Sequence, residues 1–206
     1  MGIVTNRRRV MGGKRLPYDA EVEYLRSSGT QWIDTGIVPT AQTNIAIKFL
    51  TTYLSGSDSL GIFGCRVASS NKSFLLLQYK NGNSNLFRWD YSNSLYNIVS
   101  VTSGWHIATN DGASITLDGT RYARTTQFSP TTNKIFLFCV NQNGSPFILH
   151  TALDIASFSV TENGVVILDF IPVRVGQVGY MYDKVSGQLF GNAGTGAFVV
   201  GPDVNN

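Results

Sequence analysis

Five short Gly-containing signals constrain this chain more than any other feature: Asn81-Gly82, Asp111-Gly112, Asp118-Gly119, Asn143-Gly144 and Asn163-Gly164. Each offers the positive-φ positions that tight antiparallel hairpins require, and each falls between runs rich in Val, Ile, Phe, Tyr and Thr. Those runs cover 44–50, 60–65, 73–79, 85–91, 97–101, 105–109, 114–118, 121–125, 134–140, 147–160, 165–175, 178–183 and 197–200. About a dozen short strands, roughly 8–12 residues apart, are the pattern of a β-sandwich or barrel. No segment keeps a helical period over three turns, and no repeat of fixed length is visible.

Composition agrees. Only three Glu occur among 206 residues, whereas helix surfaces favour Glu, Lys and Ala. Charged residues make up 14%, well below the roughly 25% of an average globular chain, and 43% are apolar, so global disorder is excluded. The expected fold is therefore all-β: a single antiparallel sandwich over residues 18–206, preceded by an extended arm over residues 1–17. The runs at 73–79 and 134–140 are apolar almost throughout and read as central strands covered on both faces. Cys65 and Cys139 sit in apolar runs and read as free, buried thiols.

Charge is unevenly placed. Arg7, Arg8, Arg9, Lys14 and Arg15 give the arm +5 with no acid, while residues 16–206 hold 11 bases and 13 acids. A near-neutral body offers no basic stripe for a duplex, so no specific nucleic-acid partner is expected. The arm suits an extended segment that orders on a partner; a loose solubilising tail is the other reading. No apolar run follows the arm's charges, so neither a signal peptide nor a membrane span is expected.

Catalytic patterns are sparse. Glycoside hydrolysis needs two carboxylates across a cleft. Glu21 and Glu23 share one strand face but stand beside the arm, where a solvated strand start is the simpler reading; Glu162 falls at a hairpin tip. Two histidines, His106 and His150, have no partners at metal-ligand spacing and read as packed or surface groups. There is no Gly-x-Ser-x-Gly elbow, phosphate loop, dinucleotide fingerprint or Asp-rich calcium loop. No enzyme activity, metal or cofactor is expected. The run at 85–91 alternates Phe87, Trp89 and Tyr91 against Arg88 and Asp90. Those three rings either fill the inter-sheet core or form a sugar-stacking surface, and they are the candidate glycan-binding residues. Trp32 and Trp105, each followed by an alternating run, read as core.

Gly104-Trp105-His106, the Asp111-Gly112 and Asp118-Gly119 hairpins and the return run Leu153 to Val160 resemble the concanavalin A-like and laminin-G-like families, implying a jelly-roll sandwich. The opening Glu23-Tyr24-Leu25-Arg26 through Trp32-Ile33-Asp34 and the closing Asp169 to Arg174, Gly179 to Asp183 and Leu189 to Asn192 resemble lectin-like proteins of tailed phages and prophages of gut bacteria. That resemblance implies a non-enzymatic virion structural protein: a capsid decoration, head fibre or tail-associated module. Arg7, Arg8, Arg9, Lys14 and Arg15 would anchor it to capsid or tail proteins. The sandwich would then face outward toward cell-surface or mucosal glycans, with homo-oligomers, trimers among them, the expected state. The alternative is a free bacterial carbohydrate-binding protein or a degenerate glycoside hydrolase.

Overall fold

All five Gly-containing turns join consecutive antiparallel strands. At Asp118-Gly119, Asn143-Gly144 and Asn163-Gly164 both residues have positive φ; at Asn81-Gly82 and Asp111-Gly112 only the glycine does. These local connections build two sheets in the computed structural model, which describes residues 10–11, 14–52, 54, 59–68, 72–92, 94–100 and 102–204. No described helix is long and apolar enough to cross a membrane.

The eight-stranded sheet runs Ser94–Ser100, Ser84–Tyr91, Ser73–Asn81, Ser59–Arg66, Phe136–Leu137, Ile33–Asp34, with Val140–Gln142 and Ser145–Phe147 attached beside it. Its one parallel pairing places Asn141 beside Cys65. The eleven-stranded sheet runs Thr120–Tyr122, Ser114–Leu117, Gly104–Asp111, Thr43–Thr51, Leu153–Glu162, Val165–Val175, Val178–Asp183, Leu189–Phe190, and takes in short strands from both ends of the chain. This is an antiparallel jelly-roll sandwich, as the turn spacing predicts.

The core lies between the sheets. Ile45, Ile47 and Phe49 point in from one sheet, and Phe74, Leu76, Phe87 and Trp89 from the other. Edge-to-face ring pairs join the layers: Phe49 with Phe87 at 5.4 Å and Phe63 with Phe158 at 5.6 Å between centroids. The run Ser73–Asn81 is covered on both sides as expected, because Leu75 and Leu77 form a second small cluster with Val140 on the far face. Close backbone approach in that sheet depends on Gly64, at φ 132°, where a Cβ would stand 2.3 Å from the Phe74 carbonyl oxygen.

Two expected strands are broken. The run at 134–140 is buried from Ile135 to Val140, yet Phe138 takes φ 67° and splits it into Phe136–Leu137 and Val140–Gln142. The run at 147–160 is likewise divided, with Ile148 at φ 47° before the long strand Leu153–Glu162 begins. In the first the chain direction changes inside a buried segment; in the second it changes where Phe147 is exposed and Ile148 half-buried. In the arm, Val10–Met11 pairs antiparallel with Lys14–Arg15. Arg7, Arg8 and Arg9 lie outside the described residues.

Candidate functional site

The three rings singled out for glycan stacking are core residues. Trp89 and Phe87 are wholly buried and Tyr91 nearly so, which leaves no ring face for a sugar. Trp89 is ringed by Phe63, Phe74 and Tyr91, and Tyr91 by Phe74 and Phe128. The alternation in Ser84–Tyr91 therefore reports the inter-sheet face, and Phe87, Trp89 and Tyr91 are corrected to that role.

The opposite correction applies to Trp105. In Gly104–Asp111 the inward positions are His106, Ala108 and Asn110, while Trp105 and Ile107 face outward and are 41% and 55% exposed. The polar inward groups are satisfied. His106 is held between Asp118, 2.7 Å from Nδ1, and the Thr102 carbonyl, 2.9 Å from Nε2. Asn110 accepts from the Ile45 amide and donates to the Thr43 carbonyl.

Outward-facing Trp105 stands on the wall of a groove of about 470 Å³ on the outer face of the eleven-stranded sheet. Lys48, paired across the ladder with Ile107 and Ser157, forms part of the floor. A β-bulge between Ile155 and Ser157 turns Ala156 toward the same space. Ile171 and Pro172 supply the far wall; Glu21, Val22, Glu23 and Val204 close one end. That end is braced by chain pairing: the Val22 amide donates to Pro172 O, the Glu23 amide to Pro202 O and the Val204 amide to Glu21 O.

Trp105 belongs to a row of rings and cations. Tyr24 lies 6.2 Å from it, Arg26 lies 5.2 Å over Tyr24, and the Lys48 ammonium lies 5.4 Å over Trp105. Arg26 also forms a forked ion pair with the buried Asp154 carboxylate, with Nη2 2.7 Å from Oδ2. The hydrogen bonds that Arg26 donates to Asp154 raise its pKa above the ordinary value, against the opposing effect of partial burial. At the groove's closed end the buried Tyr18 hydroxyl donates to Glu21 at 3.1 Å, while Glu23 is exposed. An aromatic wall, a cation and two carboxylates around one open groove can hold a polyhydroxylated ring by apolar contact and by hydrogen bonds.

Sequence reasoning named Glu21, Glu23 and Trp105 separately; the structure brings all three to one groove. Lys48 and Ser157 carried no signal in the sequence, because only the ladder register sets them beside the Trp105 strand. Trp32 is partly buried, stacked 4.2 Å from Phe136. Another, smaller depression of about 310 Å³ is lined by Phe136, but its charged groups Lys134 and Asp34 already pair with each other. His150 is buried against Gln78, and burial lowers its pKa to about 4. Glu162 accepts from the hydroxyls of Thr40 and Thr43, which brace its hairpin. Both cysteines are free and buried. Among the described residues no three His, Cys, Asp or Glu side chains are grouped as a metal site.

No family model and no curated protein matches the sequence. Among solved structures, a mutant of NanB sialidase from Streptococcus pneumoniae aligns at 13% identity with a TM-score of 0.47. The alignment covers 90% of this chain and 40% of that one.

Proposed function

We propose that this chain is a non-enzymatic, lectin-like glycan-binding module whose site is the Trp105 groove. The observation that carries the reading is an outward tryptophan beside Lys48, Glu21 and Glu23 on a rigid sheet face. Trp105 keeps 41% of its surface exposed, and the flat face of a sugar ring is a fitting partner for its indole. Strands hold the wall, so little ordering cost falls on binding. The test is a glycan array followed by calorimetry on the chain and on Trp105→Ala. Binding reduced at least tenfold, with the thermal unfolding transition unchanged, supports the reading. Equal affinity in the variant removes it.

The wider setting we propose is the surface of a phage particle. The support is the resemblance of the opening and closing segments, together with a basic arm attached to a near-neutral sandwich. On this reading the arm anchors to an acidic capsid or tail surface, Arg7, Arg8, Arg9, Lys14 and Arg15 pairing with carboxylates. Many copies on one particle would compensate for a weak single site. Deleting residues 1–15 is expected to leave a folded domain that no longer joins its particle; incorporation at the normal level would refute the anchoring role.

Glu21 and Glu23 in the groove favour one rival, a glycoside hydrolase. It predicts release of reducing sugar from a bound oligosaccharide, abolished in Glu21→Gln.

A further inference from the structure

We infer that the Trp105 groove selects uncharged glycans and rejects those bearing carboxylate or sulfate groups. This inference rests on the glycan-binding reading above and concerns which class of sugar that site takes.

The distribution of charge around the groove carries it. The ionisable groups lining it are Glu21, Glu23 and Lys48, two carboxylates against one ammonium. Among the described residues, the neighbouring guanidinium groups of Arg26 and Arg174 are already paired. Arg26 is forked onto Asp154, and Arg174 is forked onto Asp203 at 2.7 and 2.6 Å, with Nη1 donating to the Gly176 carbonyl. Recognition of a sugar carboxylate or sulfate generally relies on an arginine fork, and both forks here are spent on carboxylates of the chain itself. Among the described residues, an anionic ligand would meet a net negative rim.

The same groups suit hydroxyls. Ionised Glu21 and Glu23 only accept hydrogen bonds, so their natural complement is a donor such as a sugar diol, while Lys48 only donates and complements a ring or hydroxyl oxygen. Glu21 is oriented before any ligand arrives, because the Tyr18 hydroxyl holds it and the Tyr18 ring is itself packed 4.9 Å from Tyr182. The outer groove thus combines a stacking surface with acceptors on one side and a donor on the other.

The test compares the affinity of the full chain for a neutral oligosaccharide with that for its sialylated or sulfated counterpart, at low and at physiological salt. The expected result is at least a tenfold preference for the neutral form, narrowing as salt rises. In Glu21→Gln/Glu23→Gln the ratio should fall toward one, because amides keep the shape and remove the repulsion. A preference for the anionic form in the unmodified chain overturns the selectivity while leaving glycan binding intact. Loss of neutral binding in Trp105→Ala alongside an unchanged ratio in the double variant also overturns it. If no glycan of either kind binds, the glycan-binding reading fails and the selectivity falls with it.

Discussion

Trp89 and Trp105 occupy strands with nearly the same alternation, yet one lies at the centre of the core and the other on the outside of the opposite sheet. The difference is one of volume. Trp89 and Ala108 line the same narrow internal space between the sheets. A large ring projecting from one layer needs a small side chain facing it, since interiors are packed to crystal-like density. Ala108 fills that role, and a strand with Ala108 inside must place Trp105 and Ile107 outside. The periodicity of a strand says that its two faces differ; which face is the core depends on what the other sheet supplies.

The largest expected effect divides the two tryptophans. Trp89→Ala should cost about 3–5 kcal/mol in denaturant unfolding, the range for emptying a large buried ring. Trp105→Ala should change stability by less than about 1 kcal/mol, as for surface positions. Equal losses would mean that the two faces are not distinct. The comparison sharpens further with a tryptophan-selective oxidant such as N-bromosuccinimide: Trp105 should react in the native state and Trp89 should remain intact until unfolding.

Acid is the next probe of the interior. His150 is neutral in the fold because burial lowers its pKa to about 4, whereas the unfolded chain binds that proton near its ordinary value of 6.5. The stability associated with the neutral ring is complete above pH 6.5 and falls as the pH drops from 6.5 to about 4. The loss over this window should be on the order of 3 kcal/mol. Unfolding measured across it should show that slope in the unmodified chain and a flatter profile in His150→Gln. An identical slope in both would assign the proton uptake elsewhere.

A smaller effect is expected on the outer face. Arg26→Ala leaves the buried Asp154 carboxylate without its forked partner and should cost roughly 1–3 kcal/mol. Asp154→Asn combined with Arg26→Ala should recover part of this, and a double variant as unstable as the single one would argue against the pair. The smallest readout is chemical. Burial pushes the Cys65 thiol up to about 12 and the Cys139 thiol higher still, so alkylation of the native chain should be negligible and become complete on denaturation.

Much of the fold was legible because it is encoded locally. The Asn-Gly and Asp-Gly turns fix hairpins without reference to the rest of the molecule, and the strands at 165–175 and 178–183 match their sequence runs. The breaks at Phe138 and Ile148 were hidden because apolar content signals burial and is silent on backbone direction. The site was hidden for a related reason. Lys48, Ser157 and Trp105 are far apart in sequence and meet only through ladder register, and Glu21 reaches the groove because Ala20–Glu21 pairs with Val173 and Arg174. His106 is packed, one of the two placements expected for it, but its partner Asp118 is brought to it by hairpin closure, and Asn110 meets the backbone of the Thr43–Thr51 strand by cross-strand pairing, neither of which a linear pattern displays.

The most direct measurement is an amide-resolved NMR titration of the full chain with a neutral oligosaccharide drawn from the array. Binding at the outer groove predicts that the largest shifts fall on Lys48, Trp105, Ser157 and Glu21 to Glu23, including the Trp105 indole N–H, with the core residues Phe87 and Trp89 unmoved. Shifts centred on Lys134, Phe136 and Asn141, or none at saturating sugar, would contradict the assignment of the glycan site to Trp105.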